Sequence, residues 1–258
     1  MEIKKAENYN GKISTLRRNT TFKTPQKWDV IVNHITEGLM PGTLNWLTNV
    51  KKVETSPGEL HYAAEVSCHF LVTRKGEIYQ LADLHHGTWH ALKRSPSARI
   101  VKERSAPPNL YTVGIEHEGV HKETQGRLTA AQYEATLWLH KYIIEQYEAT
   151  YKEPFLVDRD HILGHYEVDT VNRSITDPGR EFPWEELLTD LIKWDKERKT
   201  VKQDPKNGPY VNDKGERLWF RVLAGSYKTR AEAEAALKEL ESKGFKDSWL
   251  MAAYVKEK

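Results

Sequence analysis

The chain has one cysteine, Cys68, in 258 residues. No internal disulfide can brace it, which fits a protein folded in reducing cytosol and leaves stability to the core. It also lacks any apolar run near the roughly 20 residues that a membrane helix needs, so insertion into a bilayer is not expected. Net charge is nearly absent: 39 Lys and Arg stand against 37 Asp and Glu, a formal +2. Without a basic surplus there is no electrostatic footprint for nucleic acid, and that partner class is set aside. The first ten residues have no apolar centre, so no secretory signal is expected there. What the chain does have is a globular composition, 38% hydrophobic and 29% charged, with eight Trp and twelve Tyr. That is more aromatic side chain than folding alone requires.

The pattern along the chain is that of an α/β protein, with residues 1–27 a patternless polar arm. Trp28 to His34 has the composition of a buried strand ending on a histidine, and residues 43–53 suggest a short helix before Pro57-Gly58 breaks the chain. From Glu65 to Val72, period-two alternation places Val66, Cys68, Phe70 and Val72 on one strand face, and Lys75-Gly76 turns the chain into Glu77–Leu81. A loop with His85, His86, Trp89 and His90 follows, and then a basic surface stretch over 93–108. Leu110 to Glu116 is another buried-type strand. Alternation puts Gly114 and Glu116 on one face, where the missing side chain leaves room for a ligand. Thr129 to Gln132 is a capping box opening a helix whose stripe is Tyr133, Leu137, His140, Ile144 and Tyr147. Pro183 opens a last helix with Leu187, Leu188, Leu191 and Ile192 as its apolar face. Charge, proline and glycine over 197–215 mark a linker. Residues 216–258 then form a small βαβ unit: a strand from Leu218, a second capping box at Thr229–Glu232, a helix stopped by Gly244, and a strand from Trp249. The expected domains are thus 1–196 and 216–258.

Chemistry concentrates between Asp160 and Trp184. Imidazole and carboxylate are ligands that Zn²⁺ accepts, and a catalytic site takes three of them with a fourth position open. His165 and Asp177 are candidates, with Pro178-Gly179 folding the carboxylate back. His161 is the rival to His165. His69, in mid-strand opposite Cys68, reads as a structural histidine. Glu116 and Glu118 compete as the carboxylate that handles protons.

Taken together, these segments resemble the zinc-dependent N-acetylmuramoyl-L-alanine amidases of the type-2 class, which include phage lysins, autolysins and peptidoglycan recognition proteins. The resemblance rests on Val32-Asn33-His34 with Thr36, Val66–Val72, Gly87–Ala91, Val113–Gly119, Gly164-His165 and Asp177-Pro178-Gly179, in the family's order over roughly residues 28–195. It implies a central mixed sheet flanked by helices. It implies one Zn²⁺ held by His34, His165 and Asp177, Glu116 as the catalytic carboxylate, and Trp89 and His90 lining the substrate groove. The implied reaction is hydrolysis of the amide between N-acetylmuramic acid and L-alanine by zinc-activated water. One departure is Ile175, which stands where the family commonly has Lys or Thr two residues before the last ligand; Thr176 and Arg173 are both near enough to replace it.

Residues 216–258 resemble one repeat of a sporulation-related (SPOR) peptidoglycan-binding module, whose open strand edge invites a homodimer. Together the two resemblances imply a bacteriolytic endolysin or prophage autolysin, held in the host cytoplasm until lysis and then acting on the cell wall. Two other classes are a peptidoglycan-binding protein that does not cut, and a zinc peptidase acting within the stem peptide.

Overall fold

Strands β2 (Val30–Ile35), β7 (Thr112–His117) and β8 (Ile162–Gly164) lie side by side and parallel, and this trio organises the larger part of the molecule. The computed structural model describes residues 1–6, 9, 27–48, 52–56, 59–62, 66–173 and 175–202, the pieces 210–211 and 217–218, and positions 235 and 238. The chain divides into two units, Met1–Arg198 and Lys199–Lys258.

In the first unit the strands β1 (Ile3–Lys5), β5 (Phe70–Val72) and β6 (Ile78–Gln80) complete a six-stranded sheet of order β1-β6-β5-β7-β2-β8. Only the β5–β6 hairpin is antiparallel, so the sheet is mixed. The expected N-terminal arm is therefore partly a strand, because Ile3 to Lys5 pair in parallel with β6 and close the sheet's edge. The alternation expected from Glu65 to Val72 is also shorter than its pattern. Val66 is exposed, and the strand proper begins at Phe70. Both faces of that strand are covered, so His69 and Leu71 are as buried as Phe70 and Val72, and period two carries no inside-outside information there.

Helix α1 (Gly42–Thr48) is followed by a separate hairpin, β3 (Lys52–Ser56) and β4 (Glu59–Tyr62), flanking the Pro57-Gly58 breaker. The stretch expected to be plain surface contains a short helix, α2 (Arg99–Glu103), that buries Ile100 and Val101. Together with Val30, Val32, Tyr111, Leu163 and Val168 they make a core cluster on one sheet face. The four-residue helix α3 (His121–Thr124) leads to the long helix α4 (Ala130–Tyr151). The larger cluster, built on Ile31, Val113, Ile115 and Ile162, is closed by α4 through Leu139, Ile143 and Ile144 and by α6 (Trp184–Lys202) through Leu187 and Leu191. Of the stripe expected on α4, His140, Ile144 and Tyr147 are buried together with Ala135, Leu139 and Ile143, while Tyr133 and Leu137 sit at its margin. Ile192 of α6 is exposed.

Thr129 caps α4: its Oγ1 accepts the Gln132 N–H at 3.1 Å and donates to the Arg74 carbonyl at 2.6 Å, a cap worth about 1 kcal/mol. The Arg74 contact ties the helix start to the β5–β6 turn, where Gly76 has φ +80 and a Cβ would meet the Ala131 carbonyl oxygen at 2.7 Å. Only glycine fits that approach.

Helix α6 continues through Lys202, so the first part of the expected linker is helical, as its Lys, Glu and Arg content favours. In the second unit β9 (Tyr210–Val211) pairs antiparallel with β10 (Arg217–Leu218). Positions 235 and 238, within the expected helix of the βαβ unit, are helical; its capping box at 229–232 and its closing strand lie outside the described residues. Among the described residues no helix is long and apolar enough to cross a membrane.

Candidate functional site

Parallel strands present their carboxyl ends together, and in open α/β sheets ligands bind there. The register makes this specific. His34 lies opposite Glu116, and Asn33 lies opposite Gly164, which puts His165 at the level of His34. Three adjacent strand ends thus deliver two imidazoles and one carboxylate to one edge. β8 stops at Gly164, whose N–H is accepted by Glu167 Oε2 at 2.8 Å, and the chain turns at once into the single-turn helix α5 (His165–Val168). Arg159 holds Glu167 and stacks its guanidinium over Trp184, so the turn that aims His165 is anchored on two sides.

Asp177 comes back to this edge from a loop. Its Oδ1 accepts the Ile35 N–H at 3.1 Å and its backbone carbonyl accepts the Tyr166 N–H at 3.2 Å. Gly179, φ +125, packs so closely on Gln125 that a Cβ would lie 2.2 Å from that carbonyl oxygen, so the return of the loop depends on glycine. The result is a cluster of His34, His165 and Asp177 whose ligand atoms all lie within 4.8 Å of one another. His165 Nδ1 is 2.9 Å from Asp177 Oδ2, and His34 Nδ1 is 3.7 Å from Oδ1. Two imidazole nitrogens and a carboxylate facing a common point are a donor set that fits a divalent ion such as Zn²⁺.

The electrostatics suit that reading. Burial lowers the pKa of His34 to about 4, His165 adding to the effect against the pull of Asp177, so the ring is neutral and has a lone pair to offer. Burial alone would raise the Asp177 carboxyl, but the neighbouring His165, at hydrogen-bond distance, and His34 outweigh it and hold the group below the usual range. Glu116 goes the other way: burial and then the charge of Asp177 push it up to about 8, against the attraction of Arg173. Its Oε2 is buried with no hydrogen-bond partner among the described residues. Near neutral pH such a group sits close to its own titration, and an oxygen left without a partner can hold a proton or give it up.

The other candidates separate cleanly. Glu118 is occupied elsewhere, accepting the backbone N–H of Met40 at 2.9 Å and of Arg74 at 2.7 Å, so it fastens two loops. His161 sits just before β8, its Nδ1 2.7 Å from Asp158 Oδ1, at the end of the strand remote from His165. His69 donates from Nε2 to the His86 carbonyl, while its Nδ1 accepts the Gly114 N–H and the Thr88 hydroxyl. Arg173 reaches the same edge: its Nε lies 3.4 Å from His165 Nδ1 and 3.7 Å from Asp177 Oδ2.

His90 is placed differently from the groove lining that the family resemblance implies. It is buried, and its ring lies flat in the space over Gly114, where a Cβ would come within 2.6 Å of it. The room left by the missing side chain at 114 is therefore filled by protein. Trp89 beside it is half-buried, its backbone N–H donating to Ser67 Oγ at 2.8 Å. Sequence reading passed over Thr112, which contacts His90; its signal was the alternation Thr112-Gly114-Glu116 on one strand face.

A family model for N-acetylmuramoyl-L-alanine amidases matches residues 24–180, more than half of the chain, and a model for the SPOR domain matches residues 190–252. The chain is 27% identical over 165 residues to N-acetylmuramoyl-L-alanine amidase A of Achromobacter lyticus, covering 60% of this chain and 77% of that one. It is 31% identical over 130 residues to the 1,6-anhydro-N-acetylmuramyl-L-alanine amidase AmpD of Haemophilus influenzae, covering 50% of this chain and 61% of the relative. Among solved structures, N-acetylmuramoyl-L-alanine amidase LysC from Clostridium intestinale aligns at 21% identity over 74% of this chain and 98% of that one, with a TM-score of 0.44.

Proposed function

The chain belongs to the N-acetylmuramoyl-L-alanine amidase family, and from that premise we propose that it hydrolyses the amide between N-acetylmuramic acid and L-alanine of peptidoglycan at the edge formed by β2, β7 and β8. The observation that carries the siting is the convergence of His34, His165 and Asp177 beside the open carboxylate of Glu116. His34, His165 and Asp177 would hold a zinc ion, the two imidazoles through the Nδ1 atoms that face the carboxylate. Such an ion, when bound, polarises an amide carbonyl and lowers the pKa of water from about 15.7 to near 7. Glu116 takes the proton of the attacking water and returns it to the leaving nitrogen. Arg173, the cation at this edge, faces the oxygen on which negative charge develops, in the place that Ile175 cannot fill.

The SPOR match supports a C-terminal unit that holds the enzyme on the wall. The finer role in this proposal is bacteriolytic, an endolysin kept in the host cytoplasm until the wall becomes accessible. A homodimer through residues 216–258 is a separable part of it. Sedimentation that gives only monomer at micromolar concentration removes the dimer and leaves the enzyme untouched.

The direct test is product chemistry. Purified chain acting on isolated cell walls is expected to expose the amine of L-alanine, with the glycan strands intact, to lose this activity to a chelator and to regain it on added zinc. New amines from within the stem peptide would make it a peptidase, and wall binding without release would make it a binding protein.

A further inference from the structure

His90 stands behind His34, on the side away from the candidate metal position. Its Nδ1 is 2.9 Å from His34 Nε2, and its Nε2 is 2.9 Å from the hydroxyl of Thr112. That hydroxyl is also 2.8 Å from the Pro108 carbonyl oxygen. A carbonyl can only accept, so the single Thr112 proton is committed to Pro108. Thr112 Oγ1 must then accept from His90, which places the His90 proton on Nε2 and leaves Nδ1 bare. A bare Nδ1 can only accept, so His34 must carry its own proton on Nε2. The consequence reaches the far side of the His34 ring: Nδ1, the atom that faces Asp177, is the one with the free lone pair.

We infer that Thr112 and His90 are positioning residues that lock His34 in the tautomer able to ligate metal through Nδ1. Every link is held by packing. Thr112, Gly114 and Glu116 share one face of β7, and the absence of a side chain at Gly114 is what lets the His90 ring lie between Thr112 and His34. Asn109 Oδ1 accepts the N–H groups of both His90 and Ala91, at 3.1 and 2.8 Å, which fixes the backbone that carries the ring. Thr112, His90 and His34 are all buried, and the two contacts join them in one continuous chain. Outer partners of this kind orient a ligating histidine and choose its tautomer.

The inference rests on the metal site proposed above, and its test keeps the two apart. Nitrogen-15 correlation NMR of the metal-free wild-type protein reads the His34 tautomer with no metal or substrate present. The Nε2-protonated form is expected, and a dominant Nδ1-protonated form overturns the relay whether or not the protein binds zinc. The second arm measures zinc affinity by competition with a chromophoric chelator. Thr112→Val removes the acceptor for His90 Nε2–H. His90 is then free to move its proton to Nδ1 and drive the His34 proton onto the ligating nitrogen, so affinity is expected to fall about 10–100-fold. Thr112→Ser keeps the hydroxyl and is expected to bind zinc like the wild type. A Thr112→Val protein with undiminished affinity overturns the inference, as does a Thr112→Ser protein as weak as Thr112→Val.

Discussion

Glu116→Gln is expected to lower turnover on cell walls by about 10²–10⁴-fold while zinc affinity stays at the wild-type level. The substitution preserves the shape of the side chain and removes its capacity to accept a proton. Because His34, His165 and Asp177 make the donor cluster without Glu116, metal binding has no reason to change. The same variant carries a second expectation that a purely structural carboxylate would not. Burial already disfavours the charged form of Glu116, strongly enough to raise it to about 8, and Oε2 has no partner among the described residues to offset that cost. Exchanging it for a neutral amide should leave the fold as stable as before or make it more so. Function held at the expense of stability is common where a catalytic group must stay available. Wall-turbidity assays, chelator competition and a urea melt on one protein preparation check all three. Unchanged turnover would place the proton-transfer group elsewhere, and lost zinc affinity would mean Glu116 holds the site together.

Acidification from pH 7 to 5 is expected to cost about 2 kcal/mol of stability for each of His69 and His140, on the order of 3–4 kcal/mol together, as an upper bound. Both rings are fully buried, and burial lowers each from 6.5 to about 4. The unfolded chain therefore binds a proton at each site below about 6.5 while the folded chain declines it until about 4. Stability is fully present above the unfolded value, falls as pH drops through that window, and stops falling from this source once the folded groups charge. His140 is the clearer case, since its Nδ1 bonds the Thr136 carbonyl at 2.8 Å and its buried Nε2 has no partner among the described residues. Urea unfolding of wild type and His140→Leu at the two pH values reads the His140 share by difference. The variant should lose about 2 kcal/mol less on acidification, since the other buried groups, His34, His90 and His117 among them, contribute to both proteins. An equal loss on acidification in wild type and His140→Leu would mean that the His140 ring is solvated or already charged in the fold.

Much of the secondary structure could be read from local pattern. The capping box at Thr129, the Lys75-Gly76 hairpin and the apolar runs of β2 and β7 each announce themselves within a few residues, because caps, turns and buried strands are local in origin. Where pattern misled, a tertiary contact had intervened. Val66 to Val72 alternates like a half-buried strand, yet both of its faces are covered. Residues 93–108 look like surface, but α2 lays Ile100 and Val101 on the second face of the sheet. Ile3 to Lys5 is too short and too charged to announce a strand and becomes one only because β6 offers a parallel edge.

The site divides along the same line. Amino-acid sequence alone determined which groups were available: histidine at the end of one strand, carboxylate at the end of another, Gly-His before a helix, and an Asp-Pro-Gly turn, in an order that marks the family. Their meeting was decided by register, since only the parallel alignment of β2 with β7 and with β8 brings residues 34, 116 and 165 to one level, and only the close packing of Gly179 on Gln125 returns residue 177 to them. Tertiary structure alone also decided what His90 does. A histidine's role depends on what each ring nitrogen touches, and the partners of His90 lie 56 residues before it and 22 after it in the chain. Contacts that distant carry no periodicity, so the folded backbone has to set them.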